Sequence, residues 1–238
     1  MTTFLWGPQE PLIQKVPSPA FLMHDDDSGR CQMFKVGIPE LQLVNYAKTL
    51  ARPNSIFVDG GAHMGVYSIL LADSFEHVHA FEPQRRTYNQ LCGNIFINEK
   101  ENITAHNLAL TTLAKANDNV TLSIVSDDGG GSTLQRTTEQ VKRTEIVRTT
   151  TLDHFHLDNV GLIKLDVEGS ELDALKGAER TIRRSKYPPL IFEANGHSWY
   201  NYRNEELFKY LYEMNYQIGQ VAEFQNMYVA RQGKDLIK

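Results

Sequence analysis

Val58-Asp-Gly-Gly-Ala-His-Met-Gly65 decides how the rest of the chain is read. Ahead of the glycines, Ser55–Asp59 is a short apolar run, the pattern of a buried strand. Behind them, Met64–Asp73 predicts a helix. A glycine-rich turn from strand to helix is where doubly wound sheets take ligands, outside the carboxyl ends of their strands and near the point where strand order reverses. Gly60, Gly61 and Gly65 carry no Cβ, so a ligand can approach the backbone there.

The alternation continues outward. His77–Phe81 predicts a second strand, Arg85–Asn98 a helix with Tyr88, Leu91 and Ile95 at helical spacing, and Ile103–Leu108 a third strand. Residues 111–150 interrupt the pattern. Val120–Val125 alternates with period two, Asp127–Ser132 is a glycine loop, and Glu145–Thr150 predicts another strand, so extended structure is inserted beside the sheet. Val160–Val167 then predicts a strand and Ser170–Arg184 a helix, with Ser170 and Asp173 as an N-cap signal. Pro189–Ala194 and Asn204–Met214 predict a further strand and helix. Tyr216–Val221 and Met227–Ala230 are joined by a link too short for a parallel return, so they predict an antiparallel hairpin. The expected class is α/β, a mostly parallel sheet with a C-terminal antiparallel hairpin.

Residues 1–50 read differently. They are proline-rich, carry an acidic turn at Asp25–Gly29, and end in a predicted helix, Pro39–Leu50, with Leu41, Val44, Ala47 and Lys48 a turn apart. They are expected to form an extension packed on a main domain spanning 51–238. Across all 238 residues, 24 Lys and Arg stand against 29 Asp and Glu, a net charge of −5. That balance gives no overall field to hold polyanions, so nucleic acid is not an expected partner. Cys31 and Cys92 have no paired spacing, which indicates reduced thiols rather than a zinc site or a disulfide framework. Apolar runs fall short of the roughly 20 residues a bilayer requires, and no leader is evident; a soluble, cytoplasmic protein without membrane partners is expected.

Glu82, ending the second predicted strand, is placed to accept hydrogen bonds from both hydroxyls of a ribose. The dinucleotide fingerprint G-x-G-x-x-G is not met, since Ala62 and His63 are not glycine. Asp59 would repel a pyrophosphate and attract a ligand with a sulfonium and an ammonium. The residues therefore favour S-adenosylmethionine over NAD.

The runs VDGGAHMGVYSILLA (58–72), AFEPQRRTYNQLCGNI (80–95), NLAL (107–110), LIKLDVEGSELDALKGA (162–178) and LIFEANG (190–196) resemble the FkbM family of S-adenosylmethionine-dependent methyltransferases. The similarity covers about residues 54–195, and IKLDVEGSE followed by LKGA is its most specific part. The resemblance implies a Rossmann-like class I methyltransferase fold and methylation of hydroxyl oxygens, often of sugars or other small natural products. Carried over by position, it implies cofactor contacts from Asp59, Gly60, Gly61, His63 and Gly65 on the methionine side. Glu82 and Pro83 would lie at the ribose, Asn107 and Leu108 at the adenine, and Lys164, Asp166 and Glu168 would face the transferred methyl. His63 departs from the family, which commonly has a small amide there.

In Gly161–Glu168 the alternation of a strand puts Lys164 and Asp166 on one side. A lysine inside a buried strand needs a partner, and Asp166 is the nearest. Asp166, Glu168 and Glu193 stand at carboxyl ends of predicted strands. One of them can take the acceptor's proton as a general base, or Asp166 and Glu193 can help hold a divalent metal that acidifies the hydroxyl; the metal-free form is preferred. His197 and Trp199 follow on a loop expected to reach the acceptor, and Gly129–Thr133 reads either as a lid or as a plain turn. His77-x-His79 and His154-x-His156 lack a third ligand and are not read as metal sites. Two other functions compete. An RNA ribose 2′-O-methyltransferase would pair the fourth-strand Asp with later lysines, where this chain has Glu193. A nucleotide-sugar glycosyltransferase would use Asp25-x-Asp27, which reads better as an exposed turn.

Overall fold

A computed structural model describes residues 2–5, 12–15, 19–23, 37–38, 40–126, 130–135, 137, 139–195, 201–221, 224 and 226–233. His197, Trp199, Gly129, Cys31 and the Asp25–Gly29 turn lie outside the described residues.

The glycine segment does join strand to helix. Strand β3 (Ile56–Gly60) leads into helix α2 (Val66–Leu71), then β4 (His77–Phe81), helix α3 (Arg85–Ile97) and β5 (Ile103–His106). After the insertion come β9 (Val160–Leu165), helices α4 (Glu171–Lys176) and α5 (Glu179–Arg184), β10 (Leu190–Glu193), helix α6 (Asn201–Glu213), β11 (Gln217–Gln220) and β12 (Met227–Arg231). Among the described residues the central sheet has seven strands in the order β11-β12-β10-β9-β3-β4-β5. The five from β10 to β5 are parallel, and β12 pairs antiparallel with both β10 and β11. The order runs outward from β3 through β4 to β5, then restarts at β9 on the other side. The reversal therefore lies between β3 and β9, at the glycine turn.

Strand alternation divides the core. Phe57, Leu162 and Ile191 pack on one face with Leu43, Val44, Tyr67, Leu71 and Leu91. Val58, Ile163, Leu165 and Phe192 pack on the other with Leu172, Leu175, Leu207 and Leu211. Within each strand, neighbours go to opposite layers, as the pleat requires.

Ahead of this core, β1 (Thr2–Leu5) and β2 (Leu12–Lys15) form an antiparallel ribbon, and helix α1 (Leu41–Leu50) lies against α2. Its buried stripe is Leu43, Val44, Ala47 and Leu50, while Leu41 is exposed. The expected stripe through Leu41 and Lys48 was rotated by about one position, because Leu43 and Leu50 supply the better apolar face. In α3 the buried face is largely polar, with Thr87, Gln90 and Asn94 beside Leu91. The amides are used: Asn98 exchanges hydrogen bonds with the backbone of Ala20, Asn94 Oδ1 accepts from the Leu22 N–H, and Gln90 donates to the Leu22 carbonyl.

The inserted segment contains β6 (Ala109–Leu110), β7 (Asn119–Ile124) and β8 (Arg143–Thr150), which form a separate sheet in the order β6-β8-β7. The expected helix over Ser170–Arg184 is divided. The Asp153 N–H donates to the Gly177 carbonyl, and its carboxylate accepts from the N–H groups of Arg180 and Thr181. A distant aspartate thus caps α5 and starts it as a new helix. Ser170 stands at the N-cap of α4 without a capping bond; its hydroxyl accepts from Gln135 instead. No helix of the described residues is long and apolar enough to cross a membrane.

Candidate active site

A cavity of about 220 Å³ opens at the strand-order reversal. Gly61, His63, Phe81, Glu82, Pro83 and Leu108 form one wall, and Asp166, Val167, Glu168 and Ser170 another. Leu110, Leu122, Gly130, Ser132 and Leu134 close it from the inserted segment. Of the residues expected to touch cofactor or acceptor, Gly61, His63, Glu82, Pro83, Leu108, Asp166 and Glu168 line this space. Asp59, Gly60, Gly65, Asn107, Lys164 and Glu193 are not among the residues that line it.

The glycines are also tightly packed. A Cβ on Gly61, whose φ is +74°, would lie 1.8 Å from the Asp166 carbonyl oxygen. One on Gly60 would meet the Leu165 side chain at 2.7 Å, and one on Gly65 the Leu91 side chain at 2.6 Å. Their missing side chains let the turn pack against β9 and α3, and Gly61 also lines the cavity. Asn107 likewise serves the backbone, donating to the carbonyls of Glu82 and Pro83.

Glu82 is held by backbone donors, Oε2 accepting from the His63 N–H at 3.0 Å and Oε1 from the Gln84 N–H at 2.9 Å. Burial raises its pKa, opposed by His63, those bonds and Lys164. Each oxygen keeps a lone pair, and the residue lines the cavity, so it fits the hydroxyls of a ribose.

Asp59 and Lys164 are register partners on β3 and β9. Their charged ends are 3.6 Å apart and almost wholly buried. Ser68 donates to Asp59 Oδ2 at 2.6 Å. The Lys164 ammonium also reaches the Gly61 carbonyl at 3.3 Å and Asp166 Oδ2 at 3.4 Å. Burial opposes its charge, but the carboxylates of Asp166, Asp59 and Glu40 overcome that and hold its pKa above the usual lysine range. One cation thus serves several carboxylates, and the surplus negative charge suits a cationic ligand.

Asp166 and Glu168 lie just past the end of β9, not within it. Together with Glu193 they offer three oxygens within 4.8 Å of one another, the set that could hold a metal ion. Burial, then the charges of Asp166, Glu168 and Glu171, push Glu193 up to about 10. Glu168 sits in the left-handed region at φ 51°. Its carboxylate accepts from the Gly131 N–H, and its carbonyl accepts from Thr133 Oγ1. Ser132 donates to Gln84, and Gln135 donates to Ser170. Residues 130–135 are thereby fastened across the cavity from both strand ends.

Several contributors carry no clear mark in the sequence. Tyr67 reads as ordinary helix core, yet its ring lies 4.9 Å from the Lys164 ammonium and its hydroxyl donates to Glu40 at 2.6 Å. Leu122 was legible only as extended structure. Away from the site, His79 Nδ1 lies 3.0 Å from His106 Nε2, and burial lowers both pKa values to about 4.

Residues 59–218 match the family described as the Methyltransferase FkbM domain. No curated protein sequence matches the chain. Among solved structures, methyltransferase FkbM from Methylobacillus flagellatus KT aligns over 75% of this chain and 44% of its own, at 22% identity and a TM-score of 0.53. The present chain therefore spans less than half of that protein's length. Precorrin-6y C5,15-methyltransferase from Geobacter metallireducens GS-15 aligns over 92% of this chain and 97% of its own, at 12% identity and a TM-score of 0.52. A Streptococcus mutans protein solved in complex with SAH aligns over 81% and 95%, at 10% identity and 0.50. These structural likenesses bear on the fold alone, which is the Rossmann-like fold of class I methyltransferases. The cofactor implied is S-adenosylmethionine, and Glu82 at the cavity with the anionic surround of Lys164 fits it. The match over residues 59–218 goes further than fold: the chain belongs to the FkbM methyltransferase family.

Proposed function

We propose that the chain is an O-methyltransferase acting on a hydroxyl of a sugar, glycan or small natural product. The observation that carries this reading is the convergence of Asp166, Glu168 and Glu193 beside the cavity, with Lys164 bonded to Asp166 from behind. Bound S-adenosylmethionine supplies a methyl group already activated on a sulfonium. The protein's tasks are then to align the acceptor and to receive its proton.

The residues divide these tasks. Glu82 and Pro83 with Leu108 hold the nucleoside part, while Gly61 and His63 border the remainder. Burial and the neighbouring carboxylates push Glu193 up to about 10, which favours its protonated form and makes it the weaker candidate for the base. Glu168 is engaged with the Gly131 N–H. We assign the acceptor's proton to Asp166, which lines the cavity with its side chain 32% exposed. Its ion pair with Lys164 fixes where its carboxylate points. We assign catalysis without a metal; turnover that survives a chelator supports this, and turnover lost and then restored by magnesium assigns Asp166, Glu168 and Glu193 to the ion.

The test is transfer of tritium from methyl-labelled S-adenosylmethionine to a panel of glycosides, phenols and RNA. Labelled glycoside or phenol supports the proposal. Labelled RNA without either would replace it with ribose methylation.

A further inference from the structure

We infer that Glu40 and Tyr67 are positioning residues for Lys164, which makes the start of α1 a working part of the active site. The inference rests on reading Lys164 and Asp166 as the transfer centre.

The observations form a connected chain. Glu40 is the N-cap residue of α1, and Tyr67 lies in the first turn of α2. The Tyr67 hydroxyl donates to Glu40 Oε2 at 2.6 Å. That bond fixes the ring, whose face lies 4.9 Å from the Lys164 ammonium. The ring and ammonium are both buried, where attraction between a cation and an aromatic face is strongest. From the ammonium the contacts divide: one reaches the Gly61 carbonyl in the cofactor turn, another Asp166 on the acceptor side, a third Asp59 beneath. A shift of Lys164 would therefore move both sides of the reaction together.

Core packing alone does not account for this arrangement. A phenylalanine would fill the same place without burying a hydroxyl that needs a partner. Glu40 adopts φ 54°, ψ 23°, a left-handed conformation that is costly for a residue with a Cβ. Its side chain makes no capping bond to its own helix; the carboxylate goes to Tyr67 instead. Its charge is also felt at Lys164, where it adds to Asp166 and Asp59 in favouring the ammonium.

The experiment uses the full chain labelled with ¹⁵N-lysine. A buried, well-held ammonium exchanges its protons slowly enough to be observed, and Lys164→Arg assigns the signal. Glu40→Gln removes the charge but keeps the shape, and Tyr67→Phe removes the hydroxyl but keeps the ring. Each is expected to displace the Lys164 resonance or broaden it beyond detection, while amide spectra show the fold retained. A resonance unchanged in position and width in both variants overturns the inference. Titration of the unsubstituted chain with S-adenosylhomocysteine separates this result from the cofactor reading. Binding with an unmoved resonance removes the positioning role alone. A moved resonance without binding supports the positioning contact and removes the transfer reading on which its meaning rests.

Discussion

Lys164 and Asp59 face each other across adjacent parallel strands, 3.6 Å apart and both nearly inaccessible to water. Such a pair contributes little over an apolar substitute when intact, but losing one member strands the other charge. Lys164→Met is therefore expected to cost about 3–5 kcal/mol of stability. Combining it with Asp59→Asn should recover a large part of that loss. Urea denaturation midpoints of the two variants check the ordering.

Gly61 has no room for a methyl group. A Cβ there would sit 1.8 Å from the Asp166 carbonyl, with the backbone at φ +74°. Gly61→Ala should displace the turn between β3 and α2 together with Asp166. The expected outcome is a lowered melting temperature and loss of S-adenosylhomocysteine binding, read by calorimetry. Gly219→Ala, where a Cβ meets nothing within 4 Å, should leave binding unchanged.

Glu82 meets the cavity as a buried carboxylate supported by two N–H donors. Hydrogen bonds to a charged group are worth about 1.5–3 kcal/mol each. Glu82→Gln should therefore weaken S-adenosylhomocysteine binding by roughly 10- to 100-fold, and a titration reads this directly.

Glu171 links stability to pH. Burial pushes its carboxyl from the ordinary 4.5 up to about 8, although Oε1 accepts from the N–H groups of Val167 and Gly169. Between those values the folded chain retains a proton that the unfolded chain has released, so stability falls as pH rises from about 4.5 to about 8. The contribution of the neutral carboxyl is complete below that window. Glu193 acts in the same direction up to about 10. Glu171→Gln should flatten the decline between pH 5 and 8, on the order of a few kcal/mol at the upper end. Denaturation at a series of pH values tests it, and a variant with the original slope would refute the assignment.

The parallel sheet and its closing hairpin were legible because each strand and helix carries its own period and the linking segments limit how they connect. Lys164 was legible as a buried cation needing a partner, since polarity inside an apolar strand stands out in one dimension. Asp59 as that partner was not, because cross-strand register depends on how β3 and β9 align. The glycines were legible as a turn, but their close packing was not: the neighbours, Asp166, Leu165 and Leu91, arrive from elsewhere in the chain. The break between α4 and α5 was hidden for the same reason, being imposed by Asp153 from outside the helix. Glu40 and Tyr67 give no signal in sequence, since an acid before a helix and an aromatic on its inner face are both commonplace.

Equilibrium titration of the unsubstituted chain with S-adenosylmethionine, run beside NAD, tests the central claim most directly. Saturable one-site binding of S-adenosylmethionine with no binding of NAD is the predicted result. Binding of NAD with indifference to S-adenosylmethionine would contradict it.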